Sequence, residues 1–169
     1  DKYGNVATST HSLCNVYGSN CVAEGTGILL NNRMCYFDLD EASPNHLVPR
    51  KRTMQTITPS IGLKDGKPAF VVGTPGADNQ EQAKLQVILN AVVYGLIDPQ
   101  VAIEGTRFAT QHPAGLMNKN QYPKTIGLEA GDVSDETILK LEEMGYNINW
   151  TTDRCIGFAW IFENGYKWG

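Results

Sequence analysis

The chain has 169 residues, of which 41% are hydrophobic and 19% are charged, and its formal net charge at pH 7 is −4. These values are typical of a globular protein, so they exclude a disordered chain and give no electrostatic drive toward nucleic acid or an anionic membrane. No apolar run approaches the roughly 18 residues that a membrane span requires. The four cysteines are too few for a disulfide scaffold and have no zinc-site spacing: Cys14, Cys21, Cys35 and Cys155.

Both ends of the chain resemble parts of β-hairpins. Residues 1–5 have the chemistry of a tight turn and residues 6–13 alternate like a strand, but no strand precedes the turn. Residues 156–162 predict a strand, and residues 163–166 carry a hairpin-turn signal close to the end. We therefore expect residues 1–169 to be a single domain cut from a longer polypeptide, without its first strand and its C-terminal end.

The first third of the chain has few regular patterns. Residues 14–27 are rich in Gly and Asn and indicate a loop, whereas the apolar residues 27–31 predict a short buried strand. Residues 32–52 form a long irregular segment, and such segments are often functional. Its basic residues 50–52 are either a solvated turn or a site for one anion.

The middle of the chain changes from a β to a helical period. Residues 56–63 and 68–73 flank a Lys-Asp-Gly-Lys turn and predict a β-hairpin. Asp78 and Glu81 then have the spacing of a capping box. Five apolar residues after this box share one face of a helix: Leu85, Ile88, Leu89, Val92 and Leu96.

Shorter elements follow. Residues 98–104 predict a short helix with Pro in its first position, and residues 107–108 a strand. Residues 110–131 are interpreted as a polar loop, and Ser134 is expected to begin a helix that ends at Gly145. The order of strands, helices and strands predicts an α+β layered domain.

The Gly-rich turn at residues 73–77 is the best local candidate for chemistry. Its backbone N–H groups would lie beside the positive end of a helix, where they can bind a phosphate, a carboxylate or a developing oxyanion. It matches neither the phosphate loop nor the dinucleotide-binding fingerprint. A purely structural turn is the alternative, so the residues alone do not reach a reaction.

Four motifs in this order and spacing resemble the small subunit of γ-glutamyltranspeptidase-like enzymes: GTGILLNNRM at 25–34, KRTM with TP at 51–59, KDGKP at 64–68 and GTPGAD at 73–78. The segments at 85–87, 94–96 and 103–108 continue the resemblance. The resemblance implies an N-terminal-nucleophile hydrolase with a four-layer αββα fold. Such an enzyme is made as a precursor that cleaves itself into two subunits.

The implied nucleophile is a Thr whose hydroxyl attacks an amide carbonyl, with its own α-amine as the base. The resemblance places this Thr ahead of Asp1, outside the sequence. It also implies the large subunit of the same precursor as a partner and a small-molecule amide as the substrate. No metal or organic cofactor is needed for this chemistry, and no partner among nucleic acids or membranes is expected.

Several site residues are implied by the resemblance. Ser12 matches a hydroxyl residue that hydrogen-bonds the nucleophile. Gly76 and Ala77 match two glycines whose N–H groups bind the tetrahedral oxyanion. Because the donor is the backbone, this oxyanion hole survives the alanine if φ is negative at Ala77. Gln55 and Thr56 match two serines that bind the substrate carboxylate, and Thr56 keeps the hydroxyl.

Three departures from the family pattern bear on specificity. Cys14, Arg33 and Tyr36 stand where the transpeptidases hold the α-ammonium of the γ-glutamyl group with Asn, Gln and Asp. An arginine repels an ammonium but suits a carboxylate. We therefore expect an amidohydrolase for acyl groups without an α-amine, as in the acylase-like and oxamate-hydrolase-like branches.

Other interpretations stay open from the sequence. Arg33 could form a salt bridge to the other subunit, and the protein could be a true γ-glutamyltransferase or glutathione hydrolase. Outside enzymology, an anion-binding module and an inactive homologue are the alternatives. Whether Cys14 and Cys21 form a disulfide is open, and so is the cellular location, for which free thiols would slightly favour the cytoplasm.

Overall fold

The computed structural model describes five stretches of the chain: residues 1–110, 122–129, 133–151, 156–162 and 165–169. The chain divides into two compact units. The larger unit comprises residues 1–10 and 57–169, and the smaller unit comprises residues 11–56. The single domain expected for residues 1–169 stays a prediction. Cys155, most of the loop predicted at 110–131 and part of the turn predicted at 163–166 lie outside the described residues.

The described part of the larger unit contains both strands and helices. Its strands are β1 (Ser60–Lys64), β2 (Lys67–Gly73), β3 (Phe108–Thr110), β4 (Thr125–Glu129), β5 (Asn147–Thr151), β6 (Gly157–Phe162) and β7 (Gly165–Trp168). Its α-helices are α1 (Gln80–Ile88), α2 (Pro99–Glu104) and α3 (Asp135–Glu143), and α1 continues into a π-helical turn at Leu89–Val93. The predicted mixture of α and β structure is confirmed.

Four strands form an antiparallel sheet in the order β1–β2–β6–β7. The predicted hairpin between β1 and β2 is confirmed. It turns at Asp65 and Gly66, whose φ angles are +52° and +77°, as a two-residue hairpin turn requires. The second predicted hairpin is also confirmed, because β6 pairs with β7 and Phe162 lies opposite Gly165.

The hydrophobic core of the larger unit lies between this sheet and helices α1 and α2. Phe158 on β6 stacks on Phe70 with ring centroids 5.4 Å apart, and Trp160 meets both rings edge to face. Fully burying a side chain such as that of Phe158 contributes roughly 2–3 kcal/mol. The buried apolar residues of this cluster come from strands and helices alike: Val72, Val87, Ala91, Ala102, Ile103 and Phe158.

A second sheet has the order β3–β4–β5, with β3 antiparallel and β5 parallel to β4. Helix α3 lies between β4 and β5 in the chain and has the predicted caps. The Ser134 hydroxyl accepts from the Thr137 N–H at 3.3 Å, and Gly145 has φ +81°. Strand β4 lies inside the segment predicted as a loop, so that prediction is wrong. Its sequence is a run of only five residues, too short to show a period.

Two predicted strands are wrong. Residues 6–13 contain no strand within the described structure. Residues 27–31 contribute only an isolated bridge between Val22 and Leu29, and Ile28 and Leu30 are exposed rather than buried. A β-prone composition needs a neighbouring strand to form a ladder of hydrogen bonds, and within the described structure these segments make only scattered ones, such as Leu30 N–H to the Cys21 carbonyl oxygen and Asn32 N–H to the Leu13 carbonyl oxygen.

Helix α1 was predicted correctly in extent, and Ile88 and Leu96 of the predicted apolar face pack against the core. Its N-cap is Asn79 rather than Asp78, and it buries Lys84 and Val87 while Leu85 is 57% exposed. Apolar residues lie on more than one face of this helix, so periodicity alone could not select the face that meets the sheet. In the part of the chain that the structure describes, every helix is too short or too polar to span a bilayer.

Candidate active site

In the smaller unit, Asn32 holds two segments of the chain side by side. Its backbone N–H donates to the Leu13 carbonyl oxygen at 3.1 Å, and its side-chain oxygen accepts from the Asn15 N–H at 3.1 Å. Asn32 also begins a short 3-10 helix, Arg33–Tyr36. The segment at 12–15 therefore lies against the start of this helix.

The hydroxyl of Tyr36 contacts three of the predicted site residues. Its oxygen lies 3.1 Å from the Thr56 hydroxyl and 3.5 Å from both Arg33 Nη1 and Cys14 Sγ. Arg33 and Cys14 donate to this oxygen, which leaves the phenol O–H to donate to Thr56. Burial raises the pKa of Tyr36, and although the Thr56 hydrogen bond and Arg33 lower it, the burial and Cys14 outweigh them. The buried phenol is therefore neutral at pH 7.

Arg33 is half-buried and fixed by hydrogen bonds on one side only. Its Nη1 donates to Gln55 Oε1 at 2.9 Å, its Nε donates to the Ser12 carbonyl oxygen at 3.3 Å, and its guanidinium stands 5.6 Å from the centre of the Tyr36 ring. Among the described residues, no carboxylate forms an ion pair with Arg33 and its Nη2 has no hydrogen-bond partner. The guanidinium therefore keeps its charge and free donors.

Arg33 and Gln55 line an open cavity of about 370 Å³ in the smaller unit. Lys51 and Arg52 line the same cavity, and none of its lining residues is acidic. One of the three N–H donors of the Lys51 ammonium is already used, because its Nζ donates to the Pro44 carbonyl oxygen at 2.6 Å. Three cations around one opening attract an anion, which favours the anion site over the solvated turn for residues 50–52.

Ser12 and Cys14 complete the cluster. The Ser12 hydroxyl oxygen accepts from the Cys14 N–H at 3.1 Å, and Cys14 has a left-handed φ of +80°. The structure thus brings six predicted residues together in the smaller unit: Ser12, Cys14, Arg33, Tyr36, Gln55 and Thr56. Their roles toward a substrate stay predictions.

Sequence reasoning missed Asn45, which is buried beneath this cluster. Its Nδ2 donates to the Tyr36 carbonyl oxygen at 2.5 Å, and its Oδ1 accepts from the Met54 N–H at 3.0 Å. Asn45 therefore fixes the backbone of Tyr36 relative to the residues that precede Gln55. The only signal was its place after Pro44 in a long irregular segment.

In the larger unit, the predicted turn connects β2 to the helix that precedes α1. Gly76 has φ +118°, and its carbonyl oxygen accepts from the Asn79 N–H at 2.9 Å. The Ala77 carbonyl oxygen accepts from the Gln80 N–H. Among the described residues, the N–H groups of Gly76 and Ala77 have no acceptor. Both carbonyls point into the helix, and the two N–H groups are available to an anion.

The condition of a negative φ at Ala77 is wrong, because its φ is +47°. Left-handed backbone costs a residue with a Cβ about 1–2 kcal/mol relative to glycine. Ala77 adopts a positive φ because the turn keeps two successive left-handed residues, Gly76 and Ala77, and so follows the backbone path that two glycines would take. Alanine therefore changes the strain of this turn without removing its donors.

The geometry of both units can be set beside known proteins. A model of the family described as gamma-glutamyltranspeptidase matches residues 1–163. The chain belongs to the γ-glutamyltranspeptidase family. The resemblance that the sequence motifs predicted is thereby confirmed.

Relatives within the γ-glutamyltranspeptidase family differ in the activity that their names state. The Glutathione hydrolase-like YwrD proenzyme of Bacillus subtilis (strain 168) is 38% identical over 147 residues, which are 86% of this chain and 26% of that protein. The Acylase ACY 1 proenzyme of Pseudomonas sp. (strain SE83) is 32% identical over 111 residues, 66% of this chain and 20% of that protein. The chain thus spans about a quarter or less of the length of these relatives.

A solved structure has a similar fold over almost the whole chain. The γ-glutamyltranspeptidase from Pseudomonas nitroreducens complexed with L-DON superposes with a TM-score of 0.80 at 26% identity. The match covers 99% of this chain and 89% of that chain.

A buried ion pair that sequence reasoning did not find joins Arg107, in the family segment at 103–108, to Glu129. Arg107 Nη2 lies 3.0 Å from Glu129 Oε1, and both side chains are almost fully buried. Together with Thr74 and Pro75 they line a cavity of about 50 Å³. The pair therefore lies near the turn, and Glu129 was missed because it falls in the segment predicted as a loop.

Proposed function

We propose that this γ-glutamyltranspeptidase-family chain is part of an N-terminal-nucleophile amidohydrolase or acyltransferase whose acyl substrate has no α-amine. One observation carries the specificity. The half-buried guanidinium of Arg33 has free donors and no carboxylate partner among the described residues. In the family pattern, the residue at this position helps to hold the α-ammonium of the γ-glutamyl group.

Electrostatics makes this site unsuited to an α-ammonium. An ammonium needs acceptors, and arginine has none. The acidic partner of the family pattern is replaced by Tyr36, whose oxygen already accepts from Arg33 and Cys14. A carboxylate on the substrate is the better ligand, because Arg33 Nη2 and the amide nitrogen of Gln55 can both donate to it.

The turn in the larger unit supports the proposed reaction. The N–H groups of Gly76 and Ala77 would donate to the oxygen of the tetrahedral intermediate, and one such donor is worth about 3 kcal/mol of barrier reduction. The proposed nucleophile is a Thr that precedes Asp1, with its α-amine taking the proton from the hydroxyl. We expect Ser12 to hydrogen-bond that hydroxyl and Thr56 to help hold the substrate carboxylate.

The complete protein in this proposal is a precursor that cleaves itself and forms a four-layer αββα enzyme with its large subunit. The names of the relatives support this part, because they are proenzymes of which the chain spans a fraction. The small-molecule amide enters as the substrate, and the chemistry uses only protein groups.

A second candidate is a γ-glutamyl hydrolase or transferase. One observation favours it: the relative with 38% identity is named a glutathione hydrolase-like proenzyme. This candidate needs an acceptor for the α-ammonium other than Arg33, Tyr36 and Cys14.

The two candidates differ in one matched pair of substrates. Glutaryl-p-nitroanilide and γ-glutamyl-p-nitroanilide have the same chain and the same carboxylate, and only the second carries the α-amine. With the full-length, processed protein, we expect a higher kcat/KM for the glutaryl substrate. A clear preference for the γ-glutamyl substrate would instead establish the second candidate. Release of p-nitroaniline from neither substrate, together with an unprocessed precursor, would point to the inactive homologue or the anion-binding module.

A further inference from the structure

Two thiols lie next to each other in the smaller unit. The Sγ atoms of Cys14 and Cys35 are 3.8 Å apart. Cys14 is half-buried and Cys35 is exposed, so a small reagent can reach the pair from solvent. Cys21, whose pairing with Cys14 the sequence left open, is exposed and makes no such approach within the described residues.

The backbone around both cysteines is held by hydrogen bonds that do not involve the sulfur atoms. Asn32 ties the segment at 12–15 to the 3-10 helix, as described above, and its carbonyl oxygen accepts from the Cys35 N–H at 3.2 Å. Cys14 is kept in a left-handed conformation, φ +80°, with its N–H bonded to the Ser12 hydroxyl. A non-glycine residue remains in such a conformation only when its surroundings fix it. The proximity of the two thiols is therefore built into the fold.

We propose that Cys14 and Cys35 are a redox modification site that closes to a disulfide and reopens. The oxidant is a low-molecular-weight disulfide, RSSR. The thiolate of one cysteine attacks it, forms a mixed disulfide and releases one RS⁻, which takes up a proton. The second thiolate then attacks the protein sulfur of the mixed disulfide and releases the other RS⁻. In sum, two protein thiols are oxidised to one protein disulfide and RSSR is reduced to two RSH; an excess of the thiol RSH reverses both steps, is oxidised to RSSR and reopens the pair.

Although Cys35 is exposed, partial desolvation raises the pKa of its thiol, and the hydrogen bond and charge of Cys14 act in the same direction, while a backbone hydrogen bond and Arg33 act against them. A protonated thiol is a poor nucleophile, so the raised pKa slows attack by Cys35 until an oxidant is abundant.

Closing the disulfide would change the proposed acyl site. The Cys14 S–H donates to the Tyr36 hydroxyl oxygen, and that oxygen also accepts from Arg33. A disulfide has no S–H, so this donor is lost and Arg33 becomes the remaining donor to Tyr36. This consequence rests on the proposed function. Arg33 is then drawn toward Tyr36, and loss of one of its hydrogen bonds to the substrate carboxylate predicts an increase of about fivefold in KM for the glutaryl substrate.

The test uses the full-length, processed protein and bis(2-hydroxyethyl) disulfide, which has no amide bond to cleave and is therefore not a substrate of either candidate enzyme. After equilibration, proteolysis without reductant should give a peptide in which Cys14 is linked to Cys35. Dithiothreitol should remove it. Cys21→Ser is the matched control and should form the same link, whereas Cys35→Ser should not.

Kinetics of the same samples test the consequence. Oxidation should raise KM for glutaryl-p-nitroanilide in the wild type and in Cys21→Ser, but not in Cys35→Ser, whose reduced form should keep the wild-type activity. Absence of the Cys14–Cys35 link in the wild type, or a link of either residue to another cysteine, would overturn the proposal. If the link forms in a protein that hydrolyses neither substrate, the disulfide stands and the proposed function fails.

Discussion

Replacing Arg33 with glutamine should shift the substrate preference toward γ-glutamyl groups. Glutamine removes the positive charge and restores the residue type that the resemblance gives for this position. It also removes the hydrogen bonds from Nη1 to Gln55 and Tyr36, which lie 2.9 Å and 3.5 Å away. Those losses affect both substrates alike, so the ratio of the two kcat/KM values isolates the effect of the charge on the α-ammonium.

The size of this effect follows from Coulomb's law. An α-ammonium held at this cluster would lie about 5 Å from the guanidinium, where two unit charges repel by about 3 kcal/mol at an effective dielectric constant of about 20. The cavity is open, and screening by water and salt reduces this to about 1–2 kcal/mol. The ratio of kcat/KM for the γ-glutamyl substrate to that for the glutaryl substrate should therefore rise about tenfold.

The matched control is Arg52→Gln, which removes a cation from the lining of the same cavity but leaves the Tyr36 cluster intact. Hydrolysis of the two p-nitroanilides by wild type, Arg33→Gln and Arg52→Gln is measured at low and high ionic strength. We expect a large change of ratio only in Arg33→Gln, and a smaller one at high salt. An equal change in both variants would refute a specific role of Arg33, and an unchanged ratio in both would refute the electrostatic reasoning.

Three further predictions concern stability, measured by urea unfolding of the processed protein. Ala77→Gly should raise the free energy of unfolding by up to about 1 kcal/mol, because relief of about 1–2 kcal/mol of left-handed strain exceeds the added flexibility of the unfolded chain, and kcat should be unchanged. Glu129→Gln should lower it by about 3 kcal/mol because Arg107 keeps a buried charge, whereas Glu136→Gln in an exposed pair should change it by less than about 0.5 kcal/mol. Burial lowers the pKa of Lys84 from the ordinary value of 10.5, so the unfolded chain binds more protons below that value and stability should rise with pH through this window. Lys84→Met should flatten the rise; a rise that persists would place the titrating group elsewhere.

Local signals predicted those elements whose geometry is decided by neighbours in the sequence. Asp65 and Gly66 favour a positive φ whatever surrounds them, and the β1–β2 hairpin follows. Asp98 accepts from the Gln100 N–H at 2.9 Å and precedes Pro99, so the start of α2 is also fixed locally. Such features need no knowledge of the rest of the fold.

Elements that depend on distant partners were predicted badly. Strand β4 exists because β3 and β5 pair with both of its edges, and both lie at a distance along the chain, since β3 ends at Thr110 and β5 begins at Asn147. The burial of Lys84 on α1 was missed for the same reason. Its Nζ donates to the Thr58 carbonyl oxygen and to the Ser60 hydroxyl on the neighbouring segment. The sequence alone gives no sign that a charged helix residue is buried in this way.

The candidate site shows the same difference between features fixed by sequence neighbours and features fixed by distant partners. Its residues come from three separate segments, around Ser12, Arg33–Tyr36 and Gln55–Thr56, so their spacing alone carries no motif. The family resemblance grouped them, and the geometry of the smaller unit agrees with that grouping. Cys35 and Asn45 were missed because the resemblance supplied no role for them, and their importance depends on contacts that only the fold creates.

The three departures in the ammonium position depend on one another chemically. If an aspartate stood at Tyr36, it would form an ion pair with Arg33 and cancel the charge that repels an ammonium. With a neutral phenol there, Arg33 keeps its charge, and the phenol oxygen is occupied by donors from Arg33 and Cys14. None of the three side chains then offers a strong, unoccupied acceptor. In the proposed function, the cluster would therefore discriminate by rejecting the wrong charge as well as by binding the right one.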